Sequence, residues 1–307
     1  MSKSRPSIWR HLGWSIEAGA FDLLTFAVRL LPLDAASWLG GAVVRALGPM
    51  TGTQRIVERN LRLAFPDLGE PERRRLMAAQ WDNVGRYFVE LVMIDRLALS
   101  SGRIDIEGEA RLREIGRRTT PTIFISGHFS NIEVMAAAIL GCGVNCLVTG
   151  RRLNNPYMDE RLLNARRSYG MTMFAPKGSD GTREMLAALK RGQSIAILND
   201  QKNNQGVAAP FFGHLAHTAS GATKMALRTT GTLQPMSVQR LKGARFRVTV
   251  HEPIVLQRTD DRQADLEAGI GQINAFIEAR VRERPEAWFW VHKRWSDAAF
   301  KTLEEKA

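Results

Sequence analysis

The sequence predicts an α/β fold with a mostly parallel central sheet, helices on both faces, and membrane-associating helices at the N-terminus. Three observations carry this prediction. From Pro121 onward, short apolar runs of β type alternate with helical patterns. A chain of 307 residues that is 44% hydrophobic can bury a substantial core. Two apolar helical segments precede this region.

Six segments after Pro121 have the short, apolar or β-branched character of strands. They are Thr122–Ser126, Asn145–Thr149, Met171–Phe174, Ile195–Asn199, Leu233–Gln239 and Phe246–Val250. The helical patterns are Asn131–Leu140, Tyr157–Tyr169, Gly181–Lys190, Ser220–Thr229 and Gln263–Arg282. Such alternation favours parallel strands joined by crossover helices. Upstream, Gln54–Ala64 and Glu70–Leu99 have charged helical patterns with apolar positions.

The N-terminus contains two apolar helical segments. Ser15–Leu31 is mostly apolar apart from a narrow polar stripe, and Ala35–Leu47 follows it after a proline. At ~1.5 Å per residue the first reaches about 25 Å, short of the roughly 30 Å hydrocarbon layer of a bilayer. We therefore expect residues 1–50 to lie on a membrane and residues 51–307 to form the α/β domain. Helices packed into the core are the alternative.

The composition narrows the classes of partner and cofactor. A formal charge of +12 and a pI near 10.4 favour an anionic partner: nucleic acid, an acidic protein or membrane phosphates. No nucleic-acid-binding motif accompanies this charge, so a nucleic-acid partner is not predicted. Cys142 and Cys146 stand without metal-ligand spacing and are predicted to be reduced core residues. No Walker or dinucleotide loop is present, and no metal or redox cofactor is predicted.

Three predicted turns follow three of the predicted strands at their carboxyl ends. They are Gly127–Asn131, Gly150–Pro156 and Asp200–Gly213. In a parallel sheet such turns open on the same edge, where α/β proteins place their ligands. We therefore expect their side chains to converge on one crevice.

His128 in the first of these turns is the leading candidate for a general base, with Glu133 five residues later as its carboxylate partner. The spacing alone is weak, since 6 histidines and 31 acidic residues in 307 positions give about 0.6 chance matches. A second match, His292 with Asp297, exists. It lacks the glycine turn between strand and helix that surrounds His128. Glu133 in the first helical turn can fold back toward the imidazole; a capping histidine and a solvated glutamate are the alternative.

The other two turns supply candidate substrate-binding residues. Arg151 and Arg152 carry forked donors suited to the phosphates of a lipid or of a pantetheine arm. Asn155 completes this turn, and Asp200 opens the third. Asp200 either contributes to the site or only caps its turn. A nucleophilic-serine hydrolase is not favoured, because the chain has no G-x-S-x-G elbow.

Motifs spread over nearly the whole chain resemble the lipid A biosynthesis acyltransferases, the late lauroyl and myristoyl transferases of Gram-negative inner membranes. The motifs, in order, are NLRLAFPDL at Asn60–Leu68, SGHFSNIE at Ser126–Glu133, GRRLNNP at Gly150–Pro156, DQ with PFFG at Asp200–Gly213, and WVHKRW at Trp290–Trp295. The resemblance implies a glycerolipid-acyltransferase-like core and a location on the cytoplasmic face of the inner membrane, peripheral or with a single N-terminal anchor.

The same resemblance implies roles for individual residues. His128 matches the family's base, Glu133 its carboxylate partner, and Arg151 or Arg152 the arginine after the next strand. Asp200 matches the acid after the later strand. The basic tail segment, His292 to Arg294, is expected near the membrane or the carrier protein.

The function so implied is O-acyl transfer from acyl carrier protein, or from coenzyme A, to a hydroxyl of a lipid A precursor. The co-substrate is the acyl thioester, and the expected partners are acyl carrier protein and anionic membrane lipid. Two alternatives stay open from the sequence: transfer to another membrane lipid, such as a lysophospholipid, ornithine lipid or glycolipid, and a catalytically silent lipid-binding protein.

Overall fold

A computed structural model describes residues 7–150, 153–174 and 179–304 of the chain. Its main sheet contains β1 (Ile104–Glu107), β2 (Ile123–Ser126), β3 (Cys146–Thr149), β4 (Thr172–Phe174), β5 (Ser194–Leu198), β8 (Thr232–Arg240), β9 (Phe246–Val250) and β10 (Ile254–Val255). A separate hairpin is formed by β6 (Lys202–Phe211) and β7 (His214–Thr218). The strand order of the main sheet is β1-β9-β8-β2-β5-β3-β4, with β10 also pairing with β8.

The helices of the described chain alternate with these strands. They are α1 (Ile8–Arg29), α2 (Leu33–Leu47), α3 (Thr53–Ala64), α4 (Glu70–Leu91), α5 (Glu109–Arg117), α6 (Ile132–Gly141), α7 (Pro156–Arg167), α8 (Ser179–Lys190), α9 (Gly221–Arg228), α10 (Arg262–Glu283) and α11 (Asp297–Glu304). The six strands and five helices predicted after Pro121 are all present, with boundaries within two residues.

The sheet is mostly parallel, as predicted. Strands β8, β2, β5, β3 and β4 run in one direction, whereas β9 and β10 pair with β8 antiparallel and β1 runs with β9. The carboxyl ends of β8, β2, β5 and β3 therefore open on one edge, side by side. This edge is where the three predicted turns begin.

Helices cover both faces of the sheet, because alternate residues of each strand enter different cores. In β2, Ile123 and Ile125 pack with α8, α9, α10 and the tryptophan-rich C-terminal segment. Phe124, on the opposite face, packs with α5 and α6. Cys142 and Cys146 are free thiols buried in this second core, as predicted. Burial raises the pKa of both thiols, which disfavours the nucleophilic thiolate.

The two N-terminal helices are held differently. Helix α2 packs directly on α4, and Leu33 and Ala36 are buried in the second core. Gly40 and Gly85 mark the contact, since a Cβ on Gly85 would lie 2.2 Å from the carbonyl oxygen of Gly40. In α1 the buried position is Ala18. The division of the chain at residue 50 stays a prediction, and among the described residues no helix is long and apolar enough to cross a bilayer.

Two element predictions are wrong. The stretch Asp200–Gly213, predicted as one long turn, contains most of the β6–β7 hairpin. The helix predicted over Glu70–Leu99 ends at Leu91 and continues as short 3-10 turns. The hairpin begins with KNNQ, whose side chains are exposed or only partly buried. Because no face of this stretch is buried, its sequence lacks the alternation of apolar residues that predicts a strand.

Candidate active site

His128 and Asp200 meet because two neighbouring parallel strands end in register. Ser126, the last residue of β2, pairs with Leu198, the last residue of β5. His128 and Asp200 each lie two residues further on, so the register carries them to the same place. The Nδ1 atom of His128 lies 2.7 Å from Oδ1 of Asp200. Gly127 allows this approach, since a Cβ there would lie 3.2 Å from Oδ2 of Asp200.

The Asp200 carboxylate is buried and fully engaged. Its Oδ2 accepts hydrogen bonds from the backbone N–H of His128 at 2.7 Å and from Nε1 of Trp288 at 2.6 Å. Burial alone would raise the pKa of Asp200, but the charge of a protonated His128 and these hydrogen bonds outweigh it. They hold the pKa of Asp200 well below its usual range. Asp200 therefore stays ionised and accepts the Nδ1 proton of His128.

This bond leaves Nε2 of His128 with the lone pair that a general base needs. The Gln201 amide donates to Nε2 of His128 at 3.3 Å and to Nε2 of His292 at 3.1 Å. The two imidazole rings lie 5.5 Å apart. Burial, and then the neighbouring His128, lower the pKa of His292, so its ring is neutral at neutral pH.

The C-terminal tryptophan-rich segment supports the His128 loop directly. Phe129 pairs with Trp288 in a β-bridge, and the N–H of Phe289 donates to the carbonyl oxygen of His128 at 3.2 Å. The expectation that this segment lies near the membrane or the carrier protein is wrong for Arg294. His292 lies in the site, whereas Arg294 is buried and donates to Thr218 at 2.8 Å, so it is not available to a membrane or a carrier protein.

The predicted contact between Glu133 and His128 is wrong. Glu133 is buried in the first turn of α6, where Nε of Arg166 donates to both carboxylate oxygens at 3.1 and 3.2 Å. The hydroxyl of Tyr169 donates to Oε2 at 2.9 Å. Asp200, predicted to bind substrate, is the residue that holds the imidazole. Glu133 nevertheless lines the same cavity as His128.

Asn155, a further predicted site residue, binds α1 and α7 and makes no contact with His128. Arg151 and Arg152 lie outside the described residues. Asn155 caps α7, accepting from the N–H groups of Tyr157 and Met158, and its amide donates to Trp14 and Glu17 of α1. Both polar atoms of its side chain are engaged, so we assign it to attachment of α1 and not to substrate binding.

An apolar cavity of about 260 Å³ opens beside the imidazole. Its wall includes the titratable side chains of Tyr87, His128, Glu133 and Arg166. The apolar wall comes from α4, α6, α7 and strands β3 and β5, and includes Phe88, Leu91, Ile132, Met135, Val148, Leu162 and Leu198. An imidazole at the mouth of an apolar pocket is suited to chemistry on the polar end of an aliphatic chain.

Within the described residues, no serine hydroxyl or cysteine thiol is hydrogen-bonded to Nε2 of His128; Gln201 occupies that position. No group of three acidic, histidine or cysteine side chains there is arranged to hold a metal ion. An imidazole held by a buried carboxylate is chemically suited to accept a proton from a substrate hydroxyl. A parallel α/β sheet with such an imidazole beside an apolar cavity is the arrangement expected of an enzyme that acts on an aliphatic substrate.

Comparison with known proteins agrees with this class. The chain belongs to the bacterial lipid A biosynthesis acyltransferases, whose family profile matches residues 11–297. The enzyme is accordingly an acyltransferase. It is 25% identical over 273 residues to the lipid A biosynthesis palmitoleoyltransferase of Escherichia coli (strain K12), covering 86% of each chain. It is 26% identical over 269 residues to the lauroyltransferase of the same organism, covering 85% of this chain and 83% of that one.

A solved structure also aligns with the chain. The 1-acyl-sn-glycerophosphate (LPA) acyltransferase PlsC from Thermotoga maritima covers 86% of this chain and 98% of its own, at 13% identity and a TM-score of 0.36.

Sequence reasoning missed three contributors to the site: the His128–Asp200 bond, Gln201 and His292. The sequence did contain a signal for the His128–Asp200 bond. Each of these two residues stands two positions beyond the last residue of a strand that was correctly predicted. The order of those strands in the sheet was the missing information. Gln201 stands in the DQ motif, but nothing in that motif indicated its contacts with the two histidines.

Proposed function

We propose that this acyltransferase moves a fatty acyl chain from an acyl thioester to a hydroxyl of a lipid A precursor. The observation that carries the proposal is the His128–Asp200 pair beside the apolar cavity, in which Asp200 accepts the hydrogen bond from Nδ1–H and Nε2 keeps its lone pair. The relatives named as lipid A palmitoleoyltransferase and lauroyltransferase support the class of acceptor.

In the proposed reaction, Nε2 of His128 accepts the proton of the substrate hydroxyl. The oxygen forms a bond to the thioester carbonyl carbon, and the tetrahedral intermediate then releases the thiolate as the carbon–sulfur bond breaks. The imidazolium returns its proton to the departing sulfur. The Asp200 carboxylate stabilises the imidazolium between these two steps.

The donor in this proposal is a thioester carried by acyl carrier protein, with coenzyme A as the second candidate. A basic chain of net charge +12 attracts an acidic carrier and an anionic membrane through the same long-range field.

The test is transfer by the purified enzyme from labelled acyl carrier protein and acyl coenzyme A to a panel of acceptors. We expect one added acyl ester on the lipid A precursor, located by mass spectrometry. The panel also contains a lysophospholipid, an ornithine lipid and a glycolipid. Efficient acylation of one of these, with none of the lipid A precursor, would reject the proposed acceptor while keeping the chemistry.

We further propose that the enzyme lies on the cytoplasmic face of the inner membrane, with α1 in the lipid interface. Helix α1 turns its polar stripe inward. Asp22 accepts two hydrogen bonds from Arg161, each 2.5 Å long, and Arg29 donates to Asp95 at 2.7 Å. Its apolar side chains point away from the protein: Trp9 is 81% exposed and Leu23 is 71% exposed. An outward apolar face beside basic residues suits an interfacial helix.

Replacing Leu23, Phe26 and Leu30 together by glutamine is expected to lower partition into phosphatidylglycerol vesicles by roughly tenfold or more, because each side chain removes apolar area from the interface. Vesicle sedimentation measures this. Leu215→Gln is the matched control, since Leu215 is 64% exposed on the β6–β7 hairpin. Equal sedimentation of triple variant and control would contradict the placement of α1. Deleting α1 and α2 is a poorer test, because α2 belongs to the core.

A further inference from the structure

A second cavity, of about 620 Å³, lies beside the His128 loop and is rich in arginine. Its walls are α2, α4, the carboxyl end of β8 and the segment after α10. Five arginines line it: Arg45, Arg75, Arg86, Arg240 and Arg284. Its size is that of a site for a small ligand or a lipid headgroup.

Two of the five arginines are already committed to carboxylates. Arg86 pairs with Asp82 at 2.5 Å, and Arg240 forms a two-pronged pair with buried Glu90. Such pairs hold the cavity wall in place and leave little charge for a ligand.

The other three arginines are available. Arg45, Arg75 and Arg284 are exposed, and across the described parts of the chain none of them has a carboxylate partner. Glu286 also lines the cavity, and no ion pair joins it to any residue that the structure describes. Three guanidinium groups against one carboxylate leave a net charge of +2 on uncommitted groups. Converging guanidinium groups bind phosphate well, because their planar N–H donors match its oxygens.

The arginine cavity and the His128 site occupy the same edge of the sheet. Strands β8 and β2 are parallel neighbours, and such neighbours lie about 4.8 Å apart. The arginine cavity covers the carboxyl end of β8, while His128 follows the carboxyl end of β2. The loop after β2 lines both cavities, with Ser130 in the first and His128 in the second. The two cavities therefore share the loop after β2 as a common wall.

The arginine cavity also borders the apolar helices. Arg45 lies on α2, where Val43 and Leu47 are 46% and 56% exposed. A ligand that contacted all three features would need an anionic group at the arginines, a hydroxyl at His128 and apolar chains beside α2. These are the properties of a phosphorylated glycolipid.

We infer that Arg45, Arg75 and Arg284 bind a phosphate group of the lipid that accepts the acyl chain. This inference rests on the proposed function, since it names the part of the acceptor that the enzyme recognises. An acidic carrier protein is the less favoured occupant. Stable protein partners bury about 800 Å² on each side, whereas these guanidinium groups surround one concave space.

The experiment measures binding separately from turnover. In a His128→Ala background, isothermal titration calorimetry follows binding of the bisphosphorylated lipid A precursor and of the same lipid after phosphatase treatment. The variants are Arg45→Gln, Arg75→Gln, Arg284→Gln and the triple combination. Arg228→Gln is the matched control, because Arg228 lines a cavity of about 610 Å³ at the end of α9, which leads into the amino end of β8.

Each single change is expected to raise the Kd for the phosphorylated lipid about tenfold. The triple change is expected to raise it a hundredfold or more. The Kd for the dephosphorylated lipid should differ by no more than about threefold among all variants. The Arg228→Gln control should bind both lipids as tightly as the His128→Ala parent protein does. Inorganic phosphate at millimolar concentration should compete weakly, because the acyl chains contribute to lipid binding. Competition by phosphate as strong as by the lipid would mean a free-phosphate site and would overturn the inference.

Steady-state kinetics with intact His128 separates the remaining outcomes. An increase in KM for the acceptor alone supports the inference. An increase in KM confined to acyl carrier protein thioester, with acyl coenzyme A unaffected, would assign the cavity to the carrier and overturn it. Phosphate-dependent lipid binding that the triple change abolishes, without any transfer by the wild type, would keep the phosphate site and reject the proposed acceptor.

Discussion

Replacing Asp200 with asparagine is expected to lower kcat for acyl transfer by roughly 10²- to 10⁴-fold, close to the effect of removing His128 itself. The amide of asparagine would donate to Nδ1 of the imidazole and so move the ring proton to Nε2. In that tautomer Nε2 has no lone pair to accept the proton of the substrate hydroxyl. The KM for both substrates should stay within about threefold, because Asp200 is buried and positions the imidazole without touching substrate.

His128→Ala gives the reference for complete loss of the base, and His292→Ala is the matched control. His292 lies 5.5 Å from His128 and shares the Gln201 amide, but within the described residues no carboxylate is hydrogen-bonded to its ring. We expect a loss of less than tenfold in this control. If His292→Ala removed activity while Asp200→Asn retained it, the assignment of the base would be contradicted. Far-UV circular dichroism and thermal unfolding confirm that each variant is folded.

The parts of the fold that were predicted correctly have local signals. Strands such as Ile123–Ser126 and Ser194–Leu198 are short apolar or β-branched runs, and the helices between them follow a 3.6-residue period. The β6–β7 hairpin has no such signal. Its first strand begins with Lys202 and three polar residues, and it is stabilised by pairing with β7 and by contact with α10. Tertiary contacts therefore decide this element.

In the site, too, local sequence spacing was not enough, and the tertiary arrangement of the strands decided which residue pairs with His128. Spacing along one segment linked His128 to Glu133, yet that acid lies in the first turn of α6 and meets Arg166 of α7. The partner of His128 comes from 72 residues away. Asp200 reaches His128 because β2 and β5 are neighbours in the sheet. Two other strands lie between them in the chain, so the order of strands along the sequence does not reveal that they are neighbours. The turns after β2 and β5 meet as predicted, but the pairing of His128 with Asp200 required the strand order.

Replacing Glu133 with alanine is expected to lower the free energy of unfolding by about 3–5 kcal/mol, because it leaves the guanidinium of Arg166 buried without its counter-charge. The carboxylate accepts from Arg166 and Tyr169, and its side chain is 1% exposed, against 11% for Arg166. The pair also raises the pKa of Arg166 against the lowering effect of burial, so the guanidinium stays charged in the folded protein.

Urea denaturation followed by tryptophan fluorescence measures this loss, and the double variant Glu133→Ala with Arg166→Met tests its cause. Removing both charges should recover much of the stability, since an apolar pair avoids the cost of one isolated buried ion. A surface pair, Arg113 with Glu109, provides the control, because Glu109→Ala should cost less than about 1 kcal/mol. Unfolding energy is the informative readout here, because Glu133 also lines the substrate cavity. A Glu133→Ala protein as stable as the wild type would show that the carboxylate does not balance the buried arginine, and would reopen a catalytic role for it.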